Sequence, residues 1–296
     1  MTYWTSLSAR ASFASHRLIG WIYWDPVAVR GCVELGIDLP AAYYLTSRGA
    51  PLAPAGHQAV AAAYYTINPV FIELAMGLVS ERTSYDAITQ VRNGAVVEGL
   101  RSYVPEICDG LAALAGPLWE AADALPVSGR VLFAAHREQE RPEDPLLSAW
   151  LAVNCIREWR GDTHFAVLAA ADISGTQAGV LHNAMLNYPD DWIPRSRGAD
   201  DAALAEARAD LEERGLVTDG RVNDAGIALR DEIEDCTDRL TRRAWQRLGE
   251  TRTTQFLDLV EPVSDRLLAR IDETAGPEWM PAARVRRTDT PTGSTR

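Results

Sequence analysis

From Asp144 onward the sequence carries helix-start and helix-stop signals in an order that few folds can satisfy. Asp144-Pro145 supplies a side-chain cap and a first-turn proline, and Leu147, Trp150, Leu151, Asn154 and Cys155 follow as a stripe at helical spacing. Gly161 is expected to end that helix, with Asp162 capping a short one over residues 163–171. Ser174 and Gln177 form a capping-box pair that opens GTQAGVLHNAML. Beyond Pro189 and Pro194, RGADDAALAEARADLEERGLV reads as a helix with Leu204, Ala207 and Leu211 inward and Gly215 as its stop. LVTDGRVNDAG then sets two short extended segments around Asp219-Gly220, a favoured two-residue hairpin turn. Asn223 or Asp224 caps a last helix in which Leu229, Ile233, Cys236 and Leu240 recur at spacings of 4, 3 and 4. Helix, helix, helix, hairpin, helix is the order of a winged-helix domain.

The first half is also helical in period but less clearly punctuated. AGHQAVAAAYYTINPVFIELAMGLVS (residues 55–80) reads as a helix broken at Asn68-Pro69, because a residue preceding proline is pushed out of helical dihedrals. Ser84 opens a second helical stretch, and a third ends in the Gly/Pro-bearing break between Pro126 and Gly129. A gapped echo links the halves, with GHQA at Gly56 against GTQA at Gly175 and YDAITQVRNGAVVEGL against DDAALAEARADLEERGL. The charged, proline-bearing REQERPEDPLL is the most linker-like segment. The expectation is a mainly α fold of duplicated winged-helix-like lobes, the C-terminal one with a short β-hairpin wing. Its parts are an N-terminal lobe over 1–136, a winged-helix lobe over 137–250, a C-terminal helix over 251–281 and a disordered tail over 282–296. The tail reading extends back to Glu273, since residues 273–296 lack apolar periodicity. Its rival is a basic arm built from Arg284, Arg286, Arg287 and Arg296.

Composition limits the partners. With 296 residues, 47% of them apolar, the chain can bury a large core. Cys32, Cys108, Cys155 and Cys236 lie far apart with no Cys-x-x-Cys pair, which fits a reducing interior. The N-terminal segment lacks a continuous apolar run, so neither a signal peptide nor a membrane span is expected, and the cytoplasm is the expected location. The formal charge of -12 repels a polyanion unless a basic patch overrides it. The helix that would read DNA, Ala199 to Leu216, carries six acidic side chains against Arg208 and Arg214. Phosphate-facing helices have the opposite balance. If DNA is bound, Arg195, Arg197, Arg208 and Arg221 are the contact candidates; the alternative is that these arginines pair locally with Asp200, Asp201 and Glu206.

Several segments taken together, YYLTSRGAPLAPAG, AAAYYTINP, DPLLSAWLAVNCIREWRGDTHFAVL, VLHNAM and RGADDAALAEARADLEERGLV with DEIEDCTDRL, resemble the actinobacterial helix-turn-helix family called SalK-like. The resemblance spans roughly residues 15–250, with Arg157 to His164 its strongest motif. It implies a winged-helix-type fold. The chain departs from the family at Tyr65-Thr66-Ile67, where members tend to carry Phe-Asn-Phe, and at Trp159, often a histidine.

The motif from Arg157 to His164 has two readings. In the structural one, Arg157 and Glu158 are charges in a last helical turn, Asp162 is a cap and His164 packs. In the chemical one, Arg157, Arg160, Asp162 and His164 line an inter-lobe pocket where the acid orients the imidazole for proton transfer or for holding an anionic or polar ligand. His182, on the next helix, could join them, and Tyr64, Tyr65 and Asn68 at the helix break are further ligand-binding candidates. No metal is expected, because no helix carries His-x-x-x-His or Glu-x-x-His spacing, and no cofactor motif occurs. The chain has no lysine, which excludes Schiff-base chemistry by a side-chain amine. The reading that follows is a winged-helix-scaffold protein that binds a small molecule or a protein partner, a homodimer being compatible, with weak or no DNA binding. The alternatives are a ligand-responsive transcription regulator and a small-molecule enzyme using Asp162 and His164.

Overall fold

A computed structural model describes residues 3–39 and 41–284. In chain order the helices are α1 (Tyr3–Gly20), α2 (Pro26–Glu34), α3 (Ala42–Gly49), α4 (His57–Tyr64), α5 (Pro69–Arg82), α6 (Tyr85–Tyr103), α7 (Cys108–Ala113) and α8 (Ala115–Asp123). They continue as α9 (Val131–Arg137), α10 (Pro145–Ala170), α11 (Gly175–Leu186), α12 (Trp192–Ser196), α13 (Asp201–Glu213), α14 (Asp224–Leu248), α15 (Glu250–Val260) and α16 (Ser264–Thr274). Among the described residues the only sheet is the antiparallel pair β1 (Val217–Thr218) and β2 (Arg221–Val222), in the register Val217 to Val222. The fold is mainly α. No helix of the described residues is long and apolar enough to cross a membrane.

Local signals are realised where they are purely local. Asn68 accepts from Val70 N to start α5, Ser84 caps α6, Asp144 caps α10, and Ser174 with Gln177 forms the capping box of α11. Gly215 leaves α13 at φ +69°, and Asp219 and Gly220 turn the hairpin at φ +52° and +73°, both in the left-handed region a tight two-residue turn requires. Asn223 caps α14 through Gly226 N.

Four expectations are corrected. First, Gly161 does not end a helix: α10 runs unbroken through it, and Asp162 lies mid-helix with its Oδ2 accepting from Phe133 N at 2.9 Å. A glycine inside a helix costs only about 1 kcal/mol. The burial of nearly every residue from Leu146 to Trp159 offsets that. Asp162 is therefore a through-space cap on the first turn of α9. Second, the inward stripe of α14 is Arg230, Ile233, Thr237, Thr241, Ala244, Trp245 and Leu248, whereas Leu240 is 48% exposed. The helix is 25 residues long and packs on α11, α10 and α1 in turn, so polar positions enter its buried face. Third, the span 251–281 is not one helix: α15 and α16 are divided at Glu261-Pro262, and α16 ends at Thr274. Fourth, residues 273–284 belong to the fold: Met280 and Ala283 are buried in the main core, and Arg284 pairs with Asp272 at 2.7 Å. Isolated apolar anchors such as these leave no periodicity to read. The remainder of the expected tail, with Arg286, Arg287 and Arg296, lies outside the described residues.

The apolar interior divides in two. The larger core runs from Leu7 to Ala283 and holds the fully buried Trp21, Trp150, Trp159 and Trp245. The smaller one joins Leu168, Ile173, Leu181, Leu204, Leu211, Val217 and Ile233 under the hairpin. The division falls inside α10 and α14, each of which begins in one core and ends in the other, rather than at the linker-like segment before Asp144. Among the described residues the first 136 contain no strand, so the echo of the winged unit there has no wing.

Candidate functional site

Where α10 passes from the larger core to the smaller one, it lines a cavity of about 230 Å³. Arg157, Gly161, His164 and Leu168 fall at spacings of 4, 3 and 4 along one helical face, with Glu158 and Phe165 beside them. His16 of α1, Tyr44 and Arg48 of α3, His182 of α11, Arg197 after α12 and Arg230 and Glu234 of α14 complete the polar part. Trp24, Trp192 and Trp279 supply an aromatic wall, and Met280 to Ala282 close it.

Two ion-pair networks organise the charges. Glu158 is wholly buried and accepts a fork from Arg48, Nε at 2.9 Å and Nη2 at 2.7 Å, together with a close contact from Arg157. Burial pushes its carboxyl up, but the Arg157 and Arg48 guanidiniums overcome that and hold it well below the usual carboxylate range. Arg48 also lies 4.6 Å over the Tyr64 ring. In the second network Arg160 Nη2 donates to Glu234 Oε2 at 2.8 Å and Asp238 Oδ1 at 2.9 Å, and Arg230 Nη1 stands 3.3 Å from Glu234 Oε1.

His164 belongs to this second network. Its Nδ1 lies 3.0 Å from Thr237 Oγ1 and 3.5 Å from Glu234 Oε1. Thr237 spends its one hydroxyl proton on Ile233 O at 2.8 Å, so Nδ1 carries the imidazole proton and Nε2 is left as an acceptor. Burial, with Arg230 and Arg160 nearby, lowers His164 to about 4 despite Glu234. His182 is pushed well below its ordinary value by burial and then by Arg230 and Arg197, and His16 by burial and then by Arg160 and Arg157. All three are neutral at pH 7. Five lining arginines against Glu158, Glu234 and the adjacent Asp238 leave an excess of two positive charges in this group.

The sequence candidates separate accordingly. Arg157, Arg160, His164 and His182 line the cavity, whereas Asp162, Tyr64, Tyr65 and Asn68 do not. Asp162 is committed to α9, so it does not orient His164. Tyr64 is fully buried and donates to Leu45 O at 2.7 Å; Tyr65, at φ +51°, donates to Ile173 O at 2.6 Å and stacks on Phe165. Asn68 caps α5 and donates from Nδ2 to Gly198 O at 2.9 Å. Of the DNA-contact candidates, Arg195 pairs with Asp201 at 2.6 Å and Arg208 with Asp191 at 2.5 Å, Arg197 lines the cavity, and Arg221 is exposed on the hairpin. The solvent face of α13 shows Asp201, Glu206, Asp210, Glu212 and Glu213. Among the described residues no group of three or more His, Cys, Asp or Glu side chains could hold a metal ion.

Sequence reasoning missed His16, Arg48, Arg230, Glu234 and the three tryptophans as parts of the site. One signal was present: Arg230 and Glu234, four apart, interrupt a face of α14 that is otherwise apolar or threonine. Residues 8–274 match the profile of a helix-turn-helix family. No curated protein and no solved structure matches the chain.

Proposed function

The chain belongs to the helix-turn-helix family, and from that premise we propose that it is a ligand-binding protein on a winged-helix scaffold, with weak or no DNA binding. The cavity between its two cores is the binding site. The observation that carries this reading is a cavity-lining cation without a partner: the Arg197 side chain makes no hydrogen bond or ion pair with another described residue. Leaving a buried charged group short of partners costs free energy that a ligand's oxygens would recover. Aromatic walls around a few convergent polar groups are the usual make-up of a small-molecule site. The narrower SalK-like resemblance is part of the same proposal.

Gly161→Leu tests it. Leucine is a better helix former than glycine, and a Cβ at Gly161 meets only Glu158 and Arg48 side-chain atoms at 3.7 and 3.8 Å, so the variant should fold. A panel of small aromatic acids, amines and neutral compounds is screened by melting temperature and followed by calorimetry. Ligands that stabilise the wild type and lose binding in Gly161→Leu support the cavity reading; no stabilising ligand, or ligands indifferent to the substitution, refutes it.

The second reading, a ligand-responsive regulator, is favoured by family membership and by α10 and α14 passing from the cavity into the winged unit. A mobility-shift titration against promoter and random duplexes separates the two. Sub-micromolar affinity with a steep salt slope would establish the regulator reading, since phosphate neutralisation has that signature.

A further inference from the structure

Within the cavity, charge and aromatic surface are arranged around two particular features. Arg197 makes no hydrogen bond or ion pair with another described residue through its side chain, although it lines the cavity. Its charge is disfavoured by burial and by Arg230 and Arg48, and only the Tyr44 hydroxyl region favours it. His182 likewise has no hydrogen-bond partner for its ring among the described residues and is 8% exposed. Beside them Arg230, 7% exposed, keeps Nη1 without an acceptor, its 3.3 Å approach to Glu234 falling outside hydrogen-bond geometry. Arg197 and a neutral imidazole therefore line one region of the cavity with unpartnered side chains, beside Arg230, whose charge is shared with Glu234.

The aromatic feature is continuous. Trp192 and Trp279 meet edge to face with centroids 4.9 Å apart, Trp279 and Trp24 are 5.0 Å apart, and Trp24 and Tyr44 are 5.5 Å apart. All four line the cavity. Its volume of about 230 Å³ lies below the roughly 300–1,000 Å³ of sites for drug-sized ligands, which suits a molecule of one or two rings.

We propose that the ligand is a small organic anion with a flat aromatic body, its carboxylate or equivalent head held by Arg197 and Arg230 and its ring lying along Trp192 and Trp279. This rests on the ligand-binding reading above and narrows it to a chemical class. A carboxylate accepts from guanidinium donors in a planar fork, which satisfies the donors that the protein leaves open. A neutral aromatic would fill the wall but leave Arg197 without an anionic partner. Inorganic phosphate would pair the cations but leave the wall unfilled.

Calorimetry on the full chain distinguishes these cases with three probes: 2-naphthoate, its neutral analogue 2-naphthamide, and inorganic phosphate. The expected result is one-to-one binding of 2-naphthoate, with the amide and phosphate each weaker by about tenfold or more, ~1.4 kcal/mol. Arg197→Gln should weaken the naphthoate by a similar factor and leave the amide unchanged, while Trp192→Ala weakens both. Because Arg197 has no ionic partner to orphan, Arg197→Gln should melt no lower than the wild type, so loss of binding cannot be loss of fold. The anion assignment is overturned if the amide binds as tightly as the acid or if Arg197→Gln leaves naphthoate affinity unchanged. If the amide binds and Gly161→Leu abolishes that binding, the cavity reading survives without the anion. Phosphate as tight as naphthoate overturns the aromatic body, and no binding by any probe at millimolar concentration removes both proposals.

Discussion

Replacing Asp162 by asparagine removes a charge while keeping an acceptor for the first turn of α9. The side chain is 6% exposed, and its Oδ2 accepts from Phe133 N at 2.9 Å. Burial raises its pKa from 3.8 to about 7, the Phe133 amide opposing that rise and the Glu158 charge adding to it. A carboxyl whose folded pKa lies above its unfolded one makes the protein less stable as pH rises. Below pH 3.8 both states are protonated and the group costs nothing; between 3.8 and about 7 the unfolded chain ionises while the folded one does not; above about 7 the full difference is in force. A shift of about three units at 1.36 kcal/mol each sets an upper bound of ~4 kcal/mol. Asp162→Asn should therefore match the wild type within about 1 kcal/mol at pH 4, and exceed its stability at pH 8 by ~2–4 kcal/mol. Asp162→Ala, which leaves the Phe133 amide without an acceptor, should lose ~1–2 kcal/mol at pH 4. Urea unfolding followed by tryptophan fluorescence at the two pH values measures all three proteins. A stability difference between Asp162→Asn and wild type that does not change with pH, or an asparagine variant weaker at pH 8, would show that the carboxylate charge is welcome at the end of α9 and that this reasoning is wrong.

Glu158→Gln strands Arg48 and Arg157 in the interior and should cost ~3–5 kcal/mol by urea unfolding; a loss below about 1 kcal/mol would mean the pair is solvated. Gly175→Ala puts a Cβ 2.4 Å from Tyr65 O and 2.9 Å from Thr66 Cα, backbone atoms that cannot swing aside, so a drop of ~1–3 kcal/mol is expected, and an unchanged melting temperature would contradict that approach of α11 to the α4–α5 break. His136 and His164 are both lowered by burial to about 4, so the unfolded chain takes up their protons first as pH falls through 6.5 and stability declines from there toward pH 4, by up to ~3 kcal/mol for each histidine. His16 and His182, also held low by burial, share that decline, so His164→Gln should flatten it by about a quarter, which unfolding curves at pH 7.5 and 5 would reveal; a slope unchanged by the substitution would place the titration elsewhere.

What was legible in the sequence is what short-range chemistry decides. The helix break at Asn68-Pro69, the helix starts at Ser84, Asp144, Ser174 and Asn223 and the Asp219-Gly220 turn each involve atoms a few residues apart, and each forms as read. Gly161-Asp162 carries the same kind of signal and fails, because α10 is sandwiched by α7, α8, α9 and α14 and this packing outweighs a glycine's local preference. The charged segment before Asp144 looked like a linker since it is polar and bears prolines, yet α10 returns at once to pack on α8 and α9. Of the four candidates in the Arg157–His164 motif, the structure brings three to one cavity. Arg157, Arg160 and His164 share the cavity face, while Asp162, two residues from each of its expected partners Arg160 and His164, points to another helix. Arg48, Arg230 and His16 come from α3, α14 and α1, and nothing local marks them as neighbours.

The absence of lysine also shapes the electrostatics of this site. All 29 basic side chains are arginine, and guanidinium stays protonated even where burial disfavours it, as at Arg197. A buried lysine facing Arg230 could relieve repulsion by losing its proton. Arginine has no such release, so the excess positive charge between the two cores persists across the working pH range. The neighbouring histidines sharpen this, since His16, His164 and His182 are held neutral by burial and by those arginines and add no charge of their own until the solution is acidic. In a chain of net charge -12, the carboxylates of this cluster, Glu158, Glu234 and Asp238, are engaged with Arg48, Arg157 and Arg160, so the proposed anion would supply the partner that Arg197, beside the tryptophan wall, lacks.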